Sequence, residues 1–191
     1  MNAQLNQAYF TGEEYLELER QSSFRHEFQR GLMYAMASTP KNHSRITLNL
    51  SVLIGNYLHD SIYEIYSINL KIRIKEVDCY YYPDISITCD KEDLEENNDF
   101  IVAPKLIIEV LSKSTERFDR TENFLDYQQL PSLEEYVLVN QYKTQVECYR
   151  KQKAGEWLVQ VYNAEEIVEF RCIDFKCPIE KIYHKILGLI S

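Results

Sequence analysis

The sequence predicts a mixed α/β (α+β) fold in which helices pack on a sheet and the C-terminal half is rich in strands. Residues 105–111 are a continuous apolar, β-favouring run, which is typical of a central strand buried on both faces. Residues 43–58 carry the apolar spacing of an amphipathic helix. Because there is no repeat and no linker-like stretch, a single domain spanning residues 1–191 is predicted.

The individual elements are predicted from caps, turns and periodicity. Thr11 and Glu14 have the spacing of a capping box, and Gly31 supplies the unusual backbone angles of a hairpin turn. The predicted helices span residues 11–20, 43–58, 115–127 and 179–187. The predicted strands span residues 24–28, 32–37, 63–74, 82–89, 105–111, 136–139, 146–149, 157–162 and 167–172.

The composition predicts a cytoplasmic protein that does not enter a membrane. No apolar run approaches the roughly 20 residues that span a bilayer, and no signal peptide opens the chain. The formal net charge of −9 argues against loose, charge-driven binding to nucleic acid. The charge is uneven, however, since residues 20–45 are rich in Arg and Lys and contain a single acid. A local basic surface therefore remains compatible with the sequence.

Motifs for several common chemistries are missing from the sequence. It contains no glycine-rich nucleotide loop, no G-x-S-x-G elbow and no pair of His residues at zinc-helix spacing. The five cysteines are scattered without paired spacing, which favours free thiols over disulfides or a zinc site. His43, near a helix start, is interpreted as a capping or packing residue rather than a ligand.

What remains is a set of carboxylates. Glu109 lies in the middle of the buried apolar strand, where an ionised carboxylate is costly unless a metal, a cation or a catalytic site compensates it. Asp84 follows Pro83 at the start of an upstream strand. If the two strands are neighbours, both acids can bind Mg²⁺ or Mn²⁺, with Glu27 as a third acid. A buried Glu paired with Arg and without any function is the alternative interpretation.

Several stretches, taken together and in order, resemble one family. They are residues 15–19, 24–28, 33–37, 42–46, 80–85, 109–120 and 130–139. Nearly the whole chain thereby resembles the Uma2 family of restriction-endonuclease-like domains, which belong to the PD-(D/E)xK nuclease superfamily. The resemblance implies a restriction-endonuclease-like mixed sheet flanked by helices, often in a homodimer. It also implies Mg²⁺-dependent (or Mn²⁺-dependent) hydrolysis of phosphodiester bonds in DNA.

The resemblance also implies roles for individual residues. Asp84 matches the acid of the Pro-Asp motif and Glu109 the acid of the second motif, and both would hold the metal. Glu27 matches an upstream Glu that would complete the acidic shell. Asn123 occupies the place on the following helix where Uma2-like sequences commonly have the catalytic Lys.

The chain departs from the family pattern where a positive charge is expected. Leu111 stands two residues after Glu109, the superfamily's other position for the Lys, and Leu32 replaces an acid that the family commonly has after the Gly. An Asn cannot supply the charge that stabilises a developing phosphorane. Lys113 and Arg120 are both candidate substitutes. The alternative to an endonuclease is therefore a catalytically impaired or inactive nuclease fold that binds nucleic acid or acts as a scaffold.

Overall fold

The structure is a computed structural model that describes residues 9–36, 38–67, 70–95 and 99–189. Within these ranges the helices are α1 (Gly12–Gln21), α2 (Lys41–Leu58), α3 (Glu116–Arg120), α4 (Glu122–Tyr127) and α5 (Ile179–Ile182). The strands are β1 (His26–Gln29), β2 (Leu32–Ala35), β3 (Glu64–Ser67), β4 (Lys71–Ile74), β5 (Cys79–Tyr81), β6 (Ile85–Thr88), β7 (Phe100–Ile101), β8 (Leu106–Leu111), β9 (Glu135–Asn140), β10 (Gln145–Lys151), β11 (Trp157–Asn163), β12 (Ile167–Phe170) and β13 (Phe175–Pro178). None of the described helices is long and apolar enough to cross a membrane.

The strands form two large sheets and a small ribbon, whereas the sequence predicted one sheet. The first sheet has five strands in the order β2-β1-β5-β4-β7, and the second has six in the order β11-β10-β9-β8-β6-β3. Both are mixed, because β4 pairs with β7 and β8 with β9 in parallel while the neighbouring pairs are antiparallel. Strands β12 and β13 pair separately. The predicted α/β (α+β) class with a β-rich C-terminal half is confirmed.

The predicted central strand is the middle of the six-stranded sheet. All six residues of β8 are buried, as expected for a continuous apolar run. Its two faces support two cores, since Ile108 and Val110 pack in one apolar cluster and Ile107 and Leu111 in the other. Glu109 shares the face of Ile107 and Leu111 because successive side chains alternate along a strand. An acid is therefore embedded in the second core.

The N-terminal helix and hairpin agree with the sequence prediction. The Thr11 hydroxyl accepts the backbone N–H of Glu14, and the Glu14 carboxylate accepts the backbone N–H of Thr11 at 2.7 Å, so the capping box is complete. At the hairpin, Gly31 has φ of +92°, a conformation that strains any other residue. The second strand of the hairpin ends at Ala35, and Ala37 lies outside the described residues.

The predicted single strand at 63–74 is wrong, because two strands occupy this range. β3 pairs with β6 in the six-stranded sheet, whereas β4 pairs with β5 and β7 in the five-stranded sheet. Residues 68 and 69, between them, lie outside the described residues. Apolar alternation has the same period in both strands, so periodicity alone does not reveal the change of sheet.

The predicted strand at 82–89 also begins too early. β6 starts at Ile85, and the preceding residues 79–81 form β5 in the other sheet. Pro83 lies between them, and because it has no N–H it cannot extend the hydrogen-bonded ladder of either strand. The chain therefore passes from one sheet to the other through residues 82–84.

The helix predicted at 115–127 is broken into α3 and α4 at Thr121, which has φ of −125° and ψ of −92°. Its hydroxyl donates to the Arg117 carbonyl with an Oγ1–O distance of 2.7 Å, a side-chain bond that competes with the helical ladder. The last helix ends at Ile182 rather than at 187. Helix α2 begins at Lys41, two residues earlier than predicted, which places His43 in its first turn.

Candidate active site

The segment that crosses between the sheets brings the predicted acids Asp84 and Glu109 together. Strand β6 runs antiparallel to β8 with Ile85 opposite Ile108, so Asp84 lies beside Glu109. The Asp84 backbone N–H donates to Glu109 Oε2 at 3.2 Å. In return, Asp84 Oδ2 accepts the backbone N–H of Val110 at 2.8 Å. The two acids are thus held in register by a reciprocal pair of hydrogen bonds.

Two further acids face the same cleft, which has a volume of about 530 Å³. Glu27, on β1, accepts the backbone N–H of Tyr82 at 3.4 Å and so contacts the crossing segment from the five-stranded sheet. Asp119, on α3, is 7% exposed and lines the same cleft as Asp84 and Glu109. Glu27, Asp84, Glu109 and Asp119 therefore share one partly enclosed space.

The crowding of these carboxylates shifts their titration. Burial raises the pKa of Glu27 to about 7, with a smaller contribution from repulsion by Asp119. Burial, opposed by hydrogen bonds and the charge of His43, raises the pKa of Asp119 to about 6. Burial, followed by repulsion from Asp119, Asp84 and Glu27, holds the pKa of Glu109 well above its ordinary value. The protein therefore does not stabilise all four carboxylates in their ionised form at once, and part of the cluster retains protons near neutral pH.

Asn123 lies directly against Glu109. It is 2% exposed, and its Nδ2 is 3.5 Å from Glu109 Oε1, while the Tyr127 hydroxyl donates to the same oxygen at 3.3 Å. The Asn123 Oδ1 is buried and has no hydrogen-bond partner among the described residues. A buried polar atom without a partner costs free energy unless water or a ligand satisfies it. The position predicted for the catalytic Lys therefore does face the acids, but with a neutral side chain.

His43 contacts the acidic pair directly. Its Nε2 lies 2.5 Å from Asp84 Oδ1, and its Nδ1 is buried without a hydrogen-bond partner in the described part of the chain. The side chains of His43 and Asp84 are 14% and 15% exposed. The interpretation of His43 as a capping or packing residue is therefore incomplete, because its ring fixes one oxygen of Asp84. His43 lies in the first turn of α2, which begins at Lys41, and it lines the cleft.

The two candidate substitutes for the missing Lys occupy different environments. Arg120 makes a bidentate ion pair with Glu147, with a distance of 2.7 Å from Nη2 to Oε1, and does not line the cleft. Lys113 lines the cleft and lies over the Tyr142 ring, 5.5 Å from its centroid. Arg25 also lines the cleft. Lys113 and Arg25 are consequently the cations available to an anion bound there.

The donor set fits a divalent metal that keeps much of its water. Mg²⁺ and Mn²⁺ prefer carboxylate oxygens, and Mg²⁺ sites use only one or two carboxylates besides water and phosphate. Asp84 and Glu109 supply such a pair, and a cation beside them would favour the ionised forms that burial and, to a lesser degree, mutual repulsion disfavour. Within residues 9–36, 38–67, 70–95 and 99–189, no group of three or more His, Cys, Asp or Glu side chains is placed to hold a metal ion together, so Glu27 is not positioned as a third ligand beside Asp84 and Glu109. A hydrated ion on two carboxylates does not require a third.

Sequence reasoning placed Glu27, Asp84, Glu109 and Asn123 in the site but missed Asp119 and His43. One signal was available for Asp119, because it stands four residues before Asn123 and helical spacing puts such residues on the same face. His43 offered no comparable signal. Its role depends on the first turn of α2 packing beside the crossing segment, which is a tertiary contact between residues 41 positions apart.

Fold and cleft together place the protein in the class of nuclease folds. A crystal structure from Anabaena variabilis, described as "a putative nuclease belonging to DUF820", matches with a TM-score of 0.76 at 21% identity, and the match covers 93% of this chain and 99% of that one. The chain belongs to the Uma2 family, whose model is described as "Putative restriction endonuclease" and matches residues 12–180. The predicted family and nuclease fold are confirmed.

Two relatives from Synechocystis sp. have a similar length. One uncharacterized protein is 39% identical over 90% of this chain and 90% of its own length. A second is 36% identical over 84% of this chain and 92% of its own length. The similarity therefore covers most of this chain and most of each relative.

Proposed function

We propose that the protein is a metal-dependent endonuclease that hydrolyses phosphodiester bonds in DNA. The observation that carries the proposal is the pairing of Asp84 and Glu109 at adjacent strand positions in an acidic cleft. The family description and the nuclease fold of the structural neighbour support the same chemistry. DNA as the substrate is supported by the family description alone. The residues in the cleft do not indicate a preference for a particular base.

Each side chain of the cleft has a task in this proposal. Asp84 and Glu109 would hold Mg²⁺ or Mn²⁺, which when bound supplies charge to stabilise the transition state and acidifies a water molecule. Glu27, with a pKa of about 7, is suited to accept a proton from the attacking water near neutral pH. Lys113 and Arg25 can neutralise the phosphate at the mouth of the cleft. The homodimer and the cytoplasmic location stay predictions.

Incubation of purified protein with supercoiled plasmid tests the proposal. Nicking is expected with Mg²⁺ or Mn²⁺ and not with EDTA, and it should be lost in an Asp84→Asn variant. Equal nicking by wild type and Asp84→Asn would disprove the proposal, since it would indicate a contaminating nuclease.

A second candidate function is a nucleic-acid-binding or scaffold protein whose catalysis is impaired. The observation that favours it is Asn123, a neutral side chain 3.5 Å from Glu109 Oε1 where the family commonly has a Lys. Asn123→Lys would place an ammonium beside the acids and stabilise the developing negative charge of the phosphorane. Because one such group contributes about 10²–10³-fold to rate, we expect at least a tenfold gain in nicking.

Asn56→Lys, on an exposed position of α2, adds the same charge away from the cleft and serves as the control. A gain shared by both variants would reflect general DNA attraction. If wild type is already fast and Asn123→Lys changes nothing, the impaired-enzyme interpretation is wrong.

His43 is expected to act as a positioning residue in the proposed reaction. Its Nε2 holds Asp84 Oδ1, so His43→Ala frees this oxygen and loosens the metal pair. Loss of a comparable supporting contact costs about 10–100-fold in metal affinity or activity. We therefore expect nicking to require more Mg²⁺, with activity partly recovered at high Mg²⁺. His59→Ala, at an exposed position after α2, should leave the Mg²⁺ dependence unchanged.

A further inference from the structure

A second cleft, about 370 Å³ in volume, adjoins the acidic one. The two clefts share Arg25 and Tyr82 as lining residues, so they are neighbours along the crossing segment. The second cleft differs in its charge, because its walls also carry Arg20 and Lys71. A polymer that extends from the acidic cleft into the second cleft would therefore contact these cations.

Two cations of the second cleft have buried atoms and no direct ion-pair partner among the described residues. Lys71 is 7% exposed, and the Arg25 Nη1 atom is buried without a hydrogen-bond partner. Both cations lie over the Tyr82 ring, each 5.5 Å from its centroid. In the part of the chain that the structure describes, neither residue forms an ion pair. Burying a cation in this way is costly unless an anion joins it.

The acids that line the second cleft already have partners within the protein. Glu19 accepts the Tyr82 hydroxyl at 2.9 Å and the backbone N–H of His26 at 2.9 Å. Asp99 pairs with Arg20 at 2.8 Å. Burial lowers the pKa of Lys71, and the opposing attraction of Asp99 and Glu19 does not fully compensate it. The unsatisfied charge of the cleft is thus positive.

An exposed aromatic side chain lines the same cleft as these cations. Phe24 lines the second cleft and is 75% exposed. Cations that contact phosphate, next to an aromatic face on which a base can stack, are the usual components of sites for unpaired nucleotides. Tyr82 cannot take this role, because Arg25 and Lys71 already cover its ring.

We propose that the second cleft binds a backbone phosphate of the strand that is cleaved in the acidic cleft, through Lys71 and Arg25, with the adjoining unpaired base stacked on Phe24. The substrate class is then nucleic acid that is single-stranded beside the cleavage site. The inference rests on the proposed function for the order of the two clefts, but binding in the second cleft requires no metal.

Binding of a short fluorescein-labelled single-stranded oligonucleotide to the full chain in EDTA tests this inference. Lys71→Gln is expected to weaken binding about five- to tenfold and to reduce the salt-dependence slope by about one, as for the loss of one phosphate contact. Phe24→Ala should weaken single-stranded binding about fivefold or more while leaving blunt duplex binding within about twofold. Lys153→Gln, in an exposed turn, makes the same charge change and should have less than about a twofold effect.

The outcomes separate this inference from the endonuclease proposal. Equal weakening by Lys71→Gln and Lys153→Gln, or no oligonucleotide binding by wild type, would overturn the second cleft as a strand site. If inorganic phosphate or a mononucleotide binds in a Lys71-dependent way and the oligonucleotide does not, the cleft takes free anions and the strand assignment is wrong. If the protein binds the oligonucleotide in a Lys71-dependent way but nicks no DNA, the strand-binding role of the second cleft is supported and the endonuclease proposal is wrong. Circular dichroism melts verify that each variant is folded.

Discussion

Replacement of Asp84 by Asn is expected to lower metal-dependent nicking at least about a hundredfold, the scale on which removal of one essential charge-stabilising group acts. Asn keeps the shape of the side chain and one oxygen that can accept the Val110 N–H, so the register between β6 and β8 should survive. What it removes is the carboxylate charge that would hold a cation beside Glu109. The measurement is the initial nicking rate of supercoiled plasmid across a Mg²⁺ titration.

The matched control is Asp60→Asn, an identical change at an exposed position outside the cleft. It should nick at the wild-type rate. Activity of Asp84→Asn that recovers fully at high Mg²⁺ would indicate that Asp84 contributes affinity but is not required for the chemistry. Activity that is unchanged at every Mg²⁺ concentration would remove Asp84 from the site altogether.

Stability in EDTA is expected to fall as the pH rises from about 4 to about 7. The folded-state pKa of Glu27 is about 7 and that of Asp119 about 6, against ordinary values of 4.5 and 3.8. Between the ordinary and raised values the folded protein binds more protons than the unfolded chain, so deprotonation destabilises it. The two differences together correspond to at most about 6 kcal/mol, so we expect a loss of a few kcal/mol and a fall in melting temperature on the order of 10 °C.

Mg²⁺ should reverse this loss, since a cation in the cleft favours the ionised acids. Thermal unfolding followed by circular dichroism at pH 5 and pH 8, with EDTA or Mg²⁺, gives the four melting temperatures to be compared. We expect Mg²⁺ to raise the melting temperature more at pH 8 than at pH 5. Glu27→Gln removes one of these two titrating carboxyls. The pH dependence of the melting temperature in wild type, minus that in the variant, therefore gives the contribution of Glu27 alone. A melting temperature that Mg²⁺ leaves unchanged at both pH values would contradict the metal site.

The parts of the fold that the sequence predicts are those specified by local chemistry. The capping box at Thr11, the hairpin turn at Gly31 and the buried strand around Glu109 each depend on residues that are near one another in the chain. The division into two sheets depends instead on which strand each segment pairs with. β3 and β4 have similar alternation and different partners, and such a difference is decided by tertiary packing.

The same distinction applies to the candidate site. Glu109 is recognisable from the sequence because burying a carboxylate in an apolar strand costs free energy unless a metal, a cation or a catalytic site compensates it. Asp84 is predicted from its place after Pro83 at the start of a strand as well as from the family resemblance, Asn123 from the resemblance alone, and the structure places both against Glu109. His43 reaches the cleft only through the packing of α2 beside the crossing segment, which its local sequence does not encode, whereas the helical spacing of Asp119 from Asn123 was a usable signal.

The reciprocal hydrogen bonds between the Asp84 region and the Glu109 region also bear on how relatives of this protein should be interpreted. These bonds fasten the point where the chain leaves one sheet and enters the other, so the two acids have a mechanical role as well as a chemical one. A family member that has lost catalysis would still be stabilised by these hydrogen bonds. On the endonuclease proposal, the Pro-Asp and Glu motifs are therefore markers of the architecture, and the side chain at the position of Asn123 is the better position at which to test for retained cleavage.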